Sequence, residues 1–219
     1  MRHAMRPLEG VRHLSFEIGP RCDLAREHEW CPAHNRRFKG GLLETSTIIH
    51  CVNMSRALGF AGFIGFHFYN EPLLYPERIA EVMDACPKMR YMLWTNGIHI
   101  DLELVERFDW VVKSDYADPN YHHDARIGNY EGEARPPRAC YRPLVECAID
   151  YVGDVHLCCQ DWRNSVKVGN ITTDFASVMD RWRDTVDKVT VGEVQPVCST
   201  CRGAQNFAAY QSALRAVGM

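Results

Sequence analysis

The feature that most constrains the fold is an alternation in the first half of the chain. Short strand-like runs at residues 14–18 (LSFEI), 63–69 (FIGFHFY), 91–94 and 110–114 are separated by helix-like segments at 45–58, 76–85 and 101–108. The helices carry punctuation at their ends. Thr45 or Ser46 offers an N-cap and Gly59 a stop, while Pro76 opens the second helix and Pro87 follows it. The run at 63–69 is almost wholly apolar, as expected of a strand buried on both faces. A βαβαβαβ order predicts a parallel sheet with right-handed crossovers, and such sheets bind ligands beyond the carboxyl ends of their strands. The residues that fall there are Cys22 onward, Asn70-Glu71-Pro72, Thr95-Asn96-Gly97 and Lys113 to Asp115.

The rhythm breaks at residues 117–139, where Pro119, Gly128, Gly132, Pro136 and Pro137 read as a linker. Beyond it, residues 148–151 and 155–158 read as a β-hairpin turning at Gly153-Asp154. An amphipathic helix is expected over 174–189, with Phe175, Val178, Met179, Trp182, Val186 and Val189 on one face, and a last helix over 205–217. The expected domains are a core at 1–116, the linker at 117–139 and a small extension at 140–219.

Ten cysteines in 219 residues need a purpose. No run reaches the ~18 apolar residues of a membrane span, and MRHAMRPLEG lacks the apolar stretch of a secretory signal. The expected compartment is the cytoplasm, where disulfides are disfavoured and metal or cluster ligation leads. A net charge of −3 predicts neither nucleic-acid nor membrane binding.

Two cysteine groups stand out. Cys140-x12-Gly153-x4-Cys158, followed by Cys198-x2-Cys201, supplies four thiolates for a tetrahedral site; spacing alone fits a [4Fe–4S] cluster and a structural Zn²⁺ equally. Cys22, Cys31 and His34 lie in the loop after the first strand, where they suit zinc, three irons of a cubane, or no metal at all. Cys86 falls on an apolar helix face and reads as core; Cys147 and Cys159 read as packing residues. His67, among apolar neighbours, is either a core histidine or a residue facing substrate. Arg142 and Asp161 flank the second group and read equally as substrate contacts or surface residues. His122-His123-Asp124 reads as a solvated loop, and Arg36-Arg37-Lys39 is too short a basic run to imply nucleic acid.

Taken in order, these pieces resemble the radical S-adenosylmethionine enzymes that carry a C-terminal SPASM or twitch extension. FEIGPRCDL resembles the family's first strand and cluster loop, FYNEPLL its GGEP segment and TNG its third strand end. RIGN at 126–129 resembles the stretch that precedes the extension. CYRPLVECAIDYVGDVHLCCQDW, VGN at 168–170, SVMDRW and CSTC resemble the extension itself. The resemblance implies a shortened partial (β/α) barrel, of class α/β, with a small twitch/SPASM extension. It implies two [4Fe–4S] clusters, one radical-generating and one auxiliary, and S-adenosyl-L-methionine as cofactor. The radical-site ligands would be Cys22, Cys31 and His34, with Cys51 as the alternative third ligand. The auxiliary ligands would be Cys140, Cys158, Cys198 and Cys201. Asn70, Glu71 and Pro72 would lie near the methionyl amine, and Asn96 and Ser114 near the nucleoside. Catalytic candidates are Cys147, Cys159 and His67.

The activity so implied is that of an oxidoreductase: a 5′-deoxyadenosyl radical abstracts a substrate hydrogen, leading to oxidation, epimerisation or crosslinking of a small metabolite or peptide. A family dehydrogenase shares the single-auxiliary-cluster arrangement. The alternative is a non-catalytic iron–sulfur or zinc protein of the same fold, an electron carrier or partner subunit. An external reductant such as flavodoxin or ferredoxin, and a partner chain completing a barrel with few strands, are the expected partners. The chain departs from the family's Cys-x3-Cys-x2-Cys spacing: eight residues separate Cys22 from Cys31, and a histidine holds the third place. Imidazole raises a cluster's potential relative to thiolate, which works against reductive cleavage.

Overall fold

The structure, a computed structural model, describes residues 6–27, 31–35, 41–114, 139–193, 195–201 and 208. Its strands are β1 (His13–Phe16), β2 (Phe63–Gly65), β3 (Arg90–Thr95), β4 (Trp110–Lys113), β5 (Glu146–Ile149) and β6 (Val155–His156). Its helices are α1 (Pro32–Asn35), α2 (Thr45–Ala57), α3 (Pro76–Ala85), α4 (Leu102–Val105) and α5 (Phe175–Thr190). The strands form one open sheet in the order β4-β3-β2-β1-β5-β6. All neighbours in it are parallel except β5 and β6. No helix among the described residues is long and apolar enough to cross a membrane.

The alternation in the first half produces four parallel strands, as expected. The second half differs from expectation. The hairpin is present, but its first strand lies two residues earlier than expected, at Glu146–Ile149, its second stops at His156, and β5 pairs in parallel with β1 (Leu14 opposite Cys147, Phe16 opposite Ile149). The sheet of the first half therefore continues into the extension. Gly153 makes the hairpin turn at φ +87°, and a Cβ there would stand 2.9 Å from Asn170 Oδ1.

Strand alternation divides the sheet into two faces. Leu14, Phe16, Ile64, Leu93, Cys147 and Ile149 point into the main core, against Ile48, Cys51 and Val52 of α2, Ile79 and Val82 of α3, and the apolar stripe of α5. Trp182 is fully buried on that stripe along with Val178, Met179 and Val186. Each such side chain contributes about 1.5–3 kcal/mol relative to exposure. Asp174 caps α5 by accepting from the Ser177 N–H. Arg183 of α5 is also buried: Nε donates to Pro7 O (2.8 Å) and Nη2 to Glu9 O (2.6 Å), which fastens the extension's helix to the start of the chain.

Several expected boundaries shift. α2 starts at Thr45, so its cap position is Glu44 rather than Thr45 or Ser46, and no side chain caps it. β2 ends at Gly65, so His67 lies beyond the strand and not within it. The chain curls there because Asn70 accepts from the Phe68 N–H and donates to Phe66 O (both 3.1 Å). α4 is shorter than the expected 101–108, with Asp101 as its cap. Arg36-Arg37-Lys39, residues 117–138 of the linker with His122-His123-Asp124 and RIGN, and all but one residue of the helix expected at 205–217 lie outside the described residues.

Candidate functional site

The carboxyl ends of the parallel strands converge on Glu71. Its buried carboxylate accepts from the Leu73 N–H (3.1 Å), the Thr95 hydroxyl (2.6 Å) and the Asn96 N–H (2.8 Å). Burial raises its carboxyl, and the three donors oppose that rise. Pro72 opens a 3₁₀ turn that Glu71 caps. The Glu71 N–H donates to Arg21 O (2.8 Å), and the Asn96 side-chain amide donates to Asp23 Oδ1 (2.6 Å). Asp23 Oδ2 lies 2.8 Å from His99 Nε2. The loop carrying Cys22 is thus sewn to the ends of β2 and β3. Ser114, at the end of β4, accepts from Trp94 Nε1–H (2.8 Å) and donates its N–H to Thr95 O (2.8 Å).

Cys22 and Cys31 are half-buried and pack on a second, small apolar cluster formed by Ala33, Phe68, Tyr69 and Ala148. Burial pushes the Cys22 thiol up to about 12, and the neighbouring Cys31, Asp23 and Glu71 add to it. The backbone of His34 falls in α1, three residues after Cys31; its side chain lies outside what is described. Cys51 is fully buried in the main core on α2, apart from the small cluster against which Cys22 and Cys31 pack, with its thiol pushed up to about 12 by burial alone.

The second cysteine group closes around one cavity. Cys140 precedes β5, Cys158 follows β6, and Cys198 ends a 3₁₀ turn at Pro196–Cys198 with Cys201 three residues beyond; all four line the same space, with Leu157, Val189 and Val197 as apolar walls. Burial raises the Cys198 thiol to about 11, and Cys140 and Cys201 beside it add to the rise. Cys158 is raised well above its ordinary value by burial, then by Cys159 and Glu146. Four thiols from three chain segments, in an enclosure whose polar walls besides them are Arg142 and Gln160, fit a group that takes four thiolates. Among the described residues no three His, Cys, Asp or Glu side chains meet at the spacing of a single metal ion.

Cys159 faces elsewhere. It packs with Cys22, Cys31 and Trp162 against the small cluster. Its Sγ accepts from Arg142 Nη1 (3.3 Å) and its N–H donates to Glu146 Oε1 (2.9 Å). Burial disfavours the Arg142 charge, but Cys159 and Glu146 outweigh burial and raise it. Cys147 is fully buried on the helix side of the sheet, opposite Leu14, and burial raises its thiol. The structure therefore separates Cys147 from the other candidates. Cys86 is buried and its thiol points to Asn53 Oδ1 (3.7 Å). Asp161 is fully buried and accepts from the Ser165 N–H and hydroxyl and the Val166 N–H, a loop-forming role. His67 covers Gly65, whose missing Cβ would stand 3.0 Å from the imidazole, and its ring lies 5.8 Å from Trp94.

Four residues at the site carry roles that the sequence reading did not assign: Asp23, Thr95, Glu17 and Tyr69. The first two were signalled by adjacency, Asp23 to Cys22 and Thr95 to Asn96. Glu17 is a charge inside an apolar strand run, and its buried carboxylate accepts from the Tyr69 and Tyr151 N–H groups (3.2 and 3.3 Å). Tyr69 stands where the GGEP pattern has its first glycine.

Comparison with known proteins agrees with this geometry. Residues 140–202 match the SPASM family, an iron–sulfur cluster-binding domain. The S-adenosyl-L-methionine-dependent 2-deoxy-scyllo-inosamine dehydrogenase of Niallia circulans is 22% identical over 214 residues, covering 81% of this chain and 83% of that protein. The crystal structure of BtrN in complex with AdoMet and 2-DOIA superposes with a TM-score of 0.69 at 20% identity, covering 88% of this chain and 93% of BtrN. BtrN in an open conformation gives the same TM-score, covering 96% and 99%. The chain thus shares the fold of BtrN along nearly its whole length, is similar in sequence to an S-adenosyl-L-methionine-dependent dehydrogenase, and carries a SPASM iron–sulfur cluster-binding domain at residues 140–202.

Proposed function

We propose that the chain is a radical S-adenosylmethionine dehydrogenase that oxidises an alcohol carbon of a small, polyhydroxylated or amino-bearing metabolite. The observation that carries this reading is the four-cysteine cavity. A cluster held by four thiolates has no open position for substrate, which suits an electron acceptor. When bound, the radical-site cluster and S-adenosylmethionine would supply the hydrogen-abstracting radical chemistry, and a cluster in the four-cysteine cavity would supply a one-electron acceptor.

The chain's own residues bind and orient. Cys22, Cys31 and His34 would hold the radical-site cluster, and Cys140, Cys158, Cys198 and Cys201 the auxiliary one. Asn70, Glu71 and Pro72 would shape the methionyl end of the cofactor site. The Glu71 carboxylate acts there through the loop it organises, since three donors already occupy it. Asn96 and Ser114 would border the nucleoside. His67, Trp94, Arg142 and Glu146 supply polar and aromatic groups for a hydroxylated substrate. The relative's named substrate, an amino-cyclitol, is of that class. A flavodoxin- or ferredoxin-type protein would deliver the first electron.

The test is an anaerobic assay of reconstituted protein with reductant and S-adenosylmethionine, against a panel of amino-cyclitols and amino sugars deuterated at their carbinol carbons. Iron is measured on the same sample. The expected result is 5′-deoxyadenosine carrying deuterium, with one carbonyl product per 5′-deoxyadenosine. A full iron load with no 5′-deoxyadenosine above the protein-free control overturns the reading in favour of an electron carrier or partner subunit.

A further inference from the structure

We propose that Tyr69 is a positioning residue that clamps the S-adenosylmethionine loop to the auxiliary-cluster loop and sets the electron affinity of the auxiliary site. The proposal rests on the function proposed above. Tyr69 is buried and held at both ends. Its N–H donates to Glu17 Oε1 (3.2 Å), and its phenol donates to the Cys159 carbonyl (2.5 Å). Its ring centroid lies 3.8 Å from that of Phe68, and the Phe68 ring lies 4.6 Å from His156. His156 Nδ1 is 2.7 Å from the Asp161 carbonyl. The pair Phe68-Tyr69 thus grips the loop 158–161 near both of its ends. Two residues after Tyr69 comes Glu71, which organises the ends of β2 and β3; one residue before Cys159 comes Cys158, on the wall of the four-cysteine cavity. Glycine at position 69, as in the GGEP pattern, has no side chain with which to span this gap.

The phenol also has an electrostatic consequence. The Cys159 carbonyl, one residue on from Cys158, presents partial negative charge, and the Tyr69 O–H donated to it offsets that charge. Donors close to a cluster's ligands favour its reduced, more negative form. In the dehydrogenation one electron leaves the substrate carbon radical, its hydroxyl proton passes to solvent, the C=O bond forms, and the auxiliary cluster is reduced by that one electron. Tyr69 gains and loses no electron in this step; it tunes the acceptor and fixes its place.

The test is an EPR-monitored redox titration of the full chain in a Cys22→Ala/Cys31→Ala background, which leaves the auxiliary cluster as the only signal. Tyr69→Phe is expected to move the midpoint to more negative potential. Replacement by 3-fluorotyrosine, a stronger donor of nearly the same shape, is expected to move it the other way. With both cluster sites intact, Tyr69→Phe raises the ratio of 5′-deoxyadenosine to product on the order of twofold to tenfold, the worth of one hydrogen bond. Unchanged midpoints in both variants overturn the proposal. So does loss of iron in Tyr69→Phe combined with an unmoved midpoint in the fluorotyrosine protein, which identifies a tyrosine needed only for folding. The titration requires no turnover, so a wild-type protein that makes no 5′-deoxyadenosine would overturn the dehydrogenase reading and leave the clamp to be decided by the midpoints.

Discussion

Cys158 and Cys159 are neighbours in the chain but face two different sites. Cys158 lines the four-cysteine cavity, whereas Cys159 packs with Cys22 and Cys31 against Phe68 and Tyr69. One loop therefore borders both cysteine groups. The consequence is a sharp difference between two adjacent substitutions. Cys158→Ala is expected to remove about half of the iron and sulfide of the reconstituted protein, and Cys140→Ala, Cys198→Ala and Cys201→Ala the same. Cys159→Ala is expected to leave the iron content unchanged. Iron and sulfide assays of the five variants check this.

Loading of these sites should depend on pH. Burial holds the Cys22 thiol at about 12 and the Cys198 thiol at about 11, so both are protonated at neutral pH in the empty protein. Ligation needs thiolates, so loading releases protons and proceeds further as pH rises between about 7 and 9. The unloaded fold shows the opposite trend. Unfolded thiols ionise near their ordinary value of 9.0, and the folded ones at 11 to 12. Above pH 9 the folded chain therefore binds more protons than the unfolded one, and stability falls with rising pH through that window. Melting curves of unloaded and loaded protein on either side of pH 9 separate the two effects.

Glu71 ties its own 3₁₀ turn to the end of β3 through three accepted hydrogen bonds, and an isosteric amide cannot accept all of them. Glu71→Gln places an NH₂ group against one of the donors. The expected cost is about 1–3 kcal/mol, or a fall of roughly 3–10 °C in Tm for a chain of this size. S-adenosylmethionine binding should weaken as well, because Asn96 and the Cys22 loop are fastened to the same carboxylate. Differential scanning calorimetry and a binding titration read the two effects.

What was legible in the sequence follows from what is local. α3 starts at Pro76 and ends at Ala85 as expected, because a proline fixes its first turn and another follows its end. Cys86 was assigned to the core by the apolar face of its helix, and it is buried there. Cys147 carried a comparable signal: strand alternation puts it on the same face as Ile149, which belongs to the core. The pairing of β5 with β1 was not legible, since alternation tells which side of a strand is buried and nothing about its neighbour. The curl at 66–70 was hidden for a related reason. FIGFHFY is apolar enough for a strand throughout, and the side-chain bonds of Asn70 decide where it stops. The site motifs were readable as a set and in order, but the roles of Glu17 and Tyr69 depend on contacts between segments far apart in the chain.

Arg183 tests how the extension is held to the barrel. Its guanidinium is buried on α5 and donates to the carbonyls of Pro7 and Glu9, which Arg183→Ala would leave without those donors. The expected loss is roughly 2–4 kcal/mol, from two charged hydrogen bonds, or about 5–15 °C in Tm. Arg183→Lys should recover only part of it, since an ammonium lacks the planar fork that reaches both carbonyls. Thermal unfolding of the two variants decides this.

The third ligand of the radical site can be settled by two substitutions. Cys51 lies in the main core among Ile48, Val52 and Ile79, while Cys22 and Cys31 belong to the small cluster on Phe68 and Tyr69. For Cys51 to reach an iron held by the other two, α2 would have to give up its packing. Cys51→Ala is therefore expected to lower Tm through the lost side-chain volume while leaving the iron content and the EPR signal of the radical site intact. His34 follows Cys31 by three residues on the short α1, the spacing of the family's last two cysteines. His34→Ala is expected to lower the iron bound at that site, and His34→Cys to restore it with a more negative midpoint, because thiolate stabilises the oxidised cluster more than imidazole does. An unchanged iron load in His34→Ala together with a loss in Cys51→Ala would reverse the assignment and require α2 to move when the cluster binds.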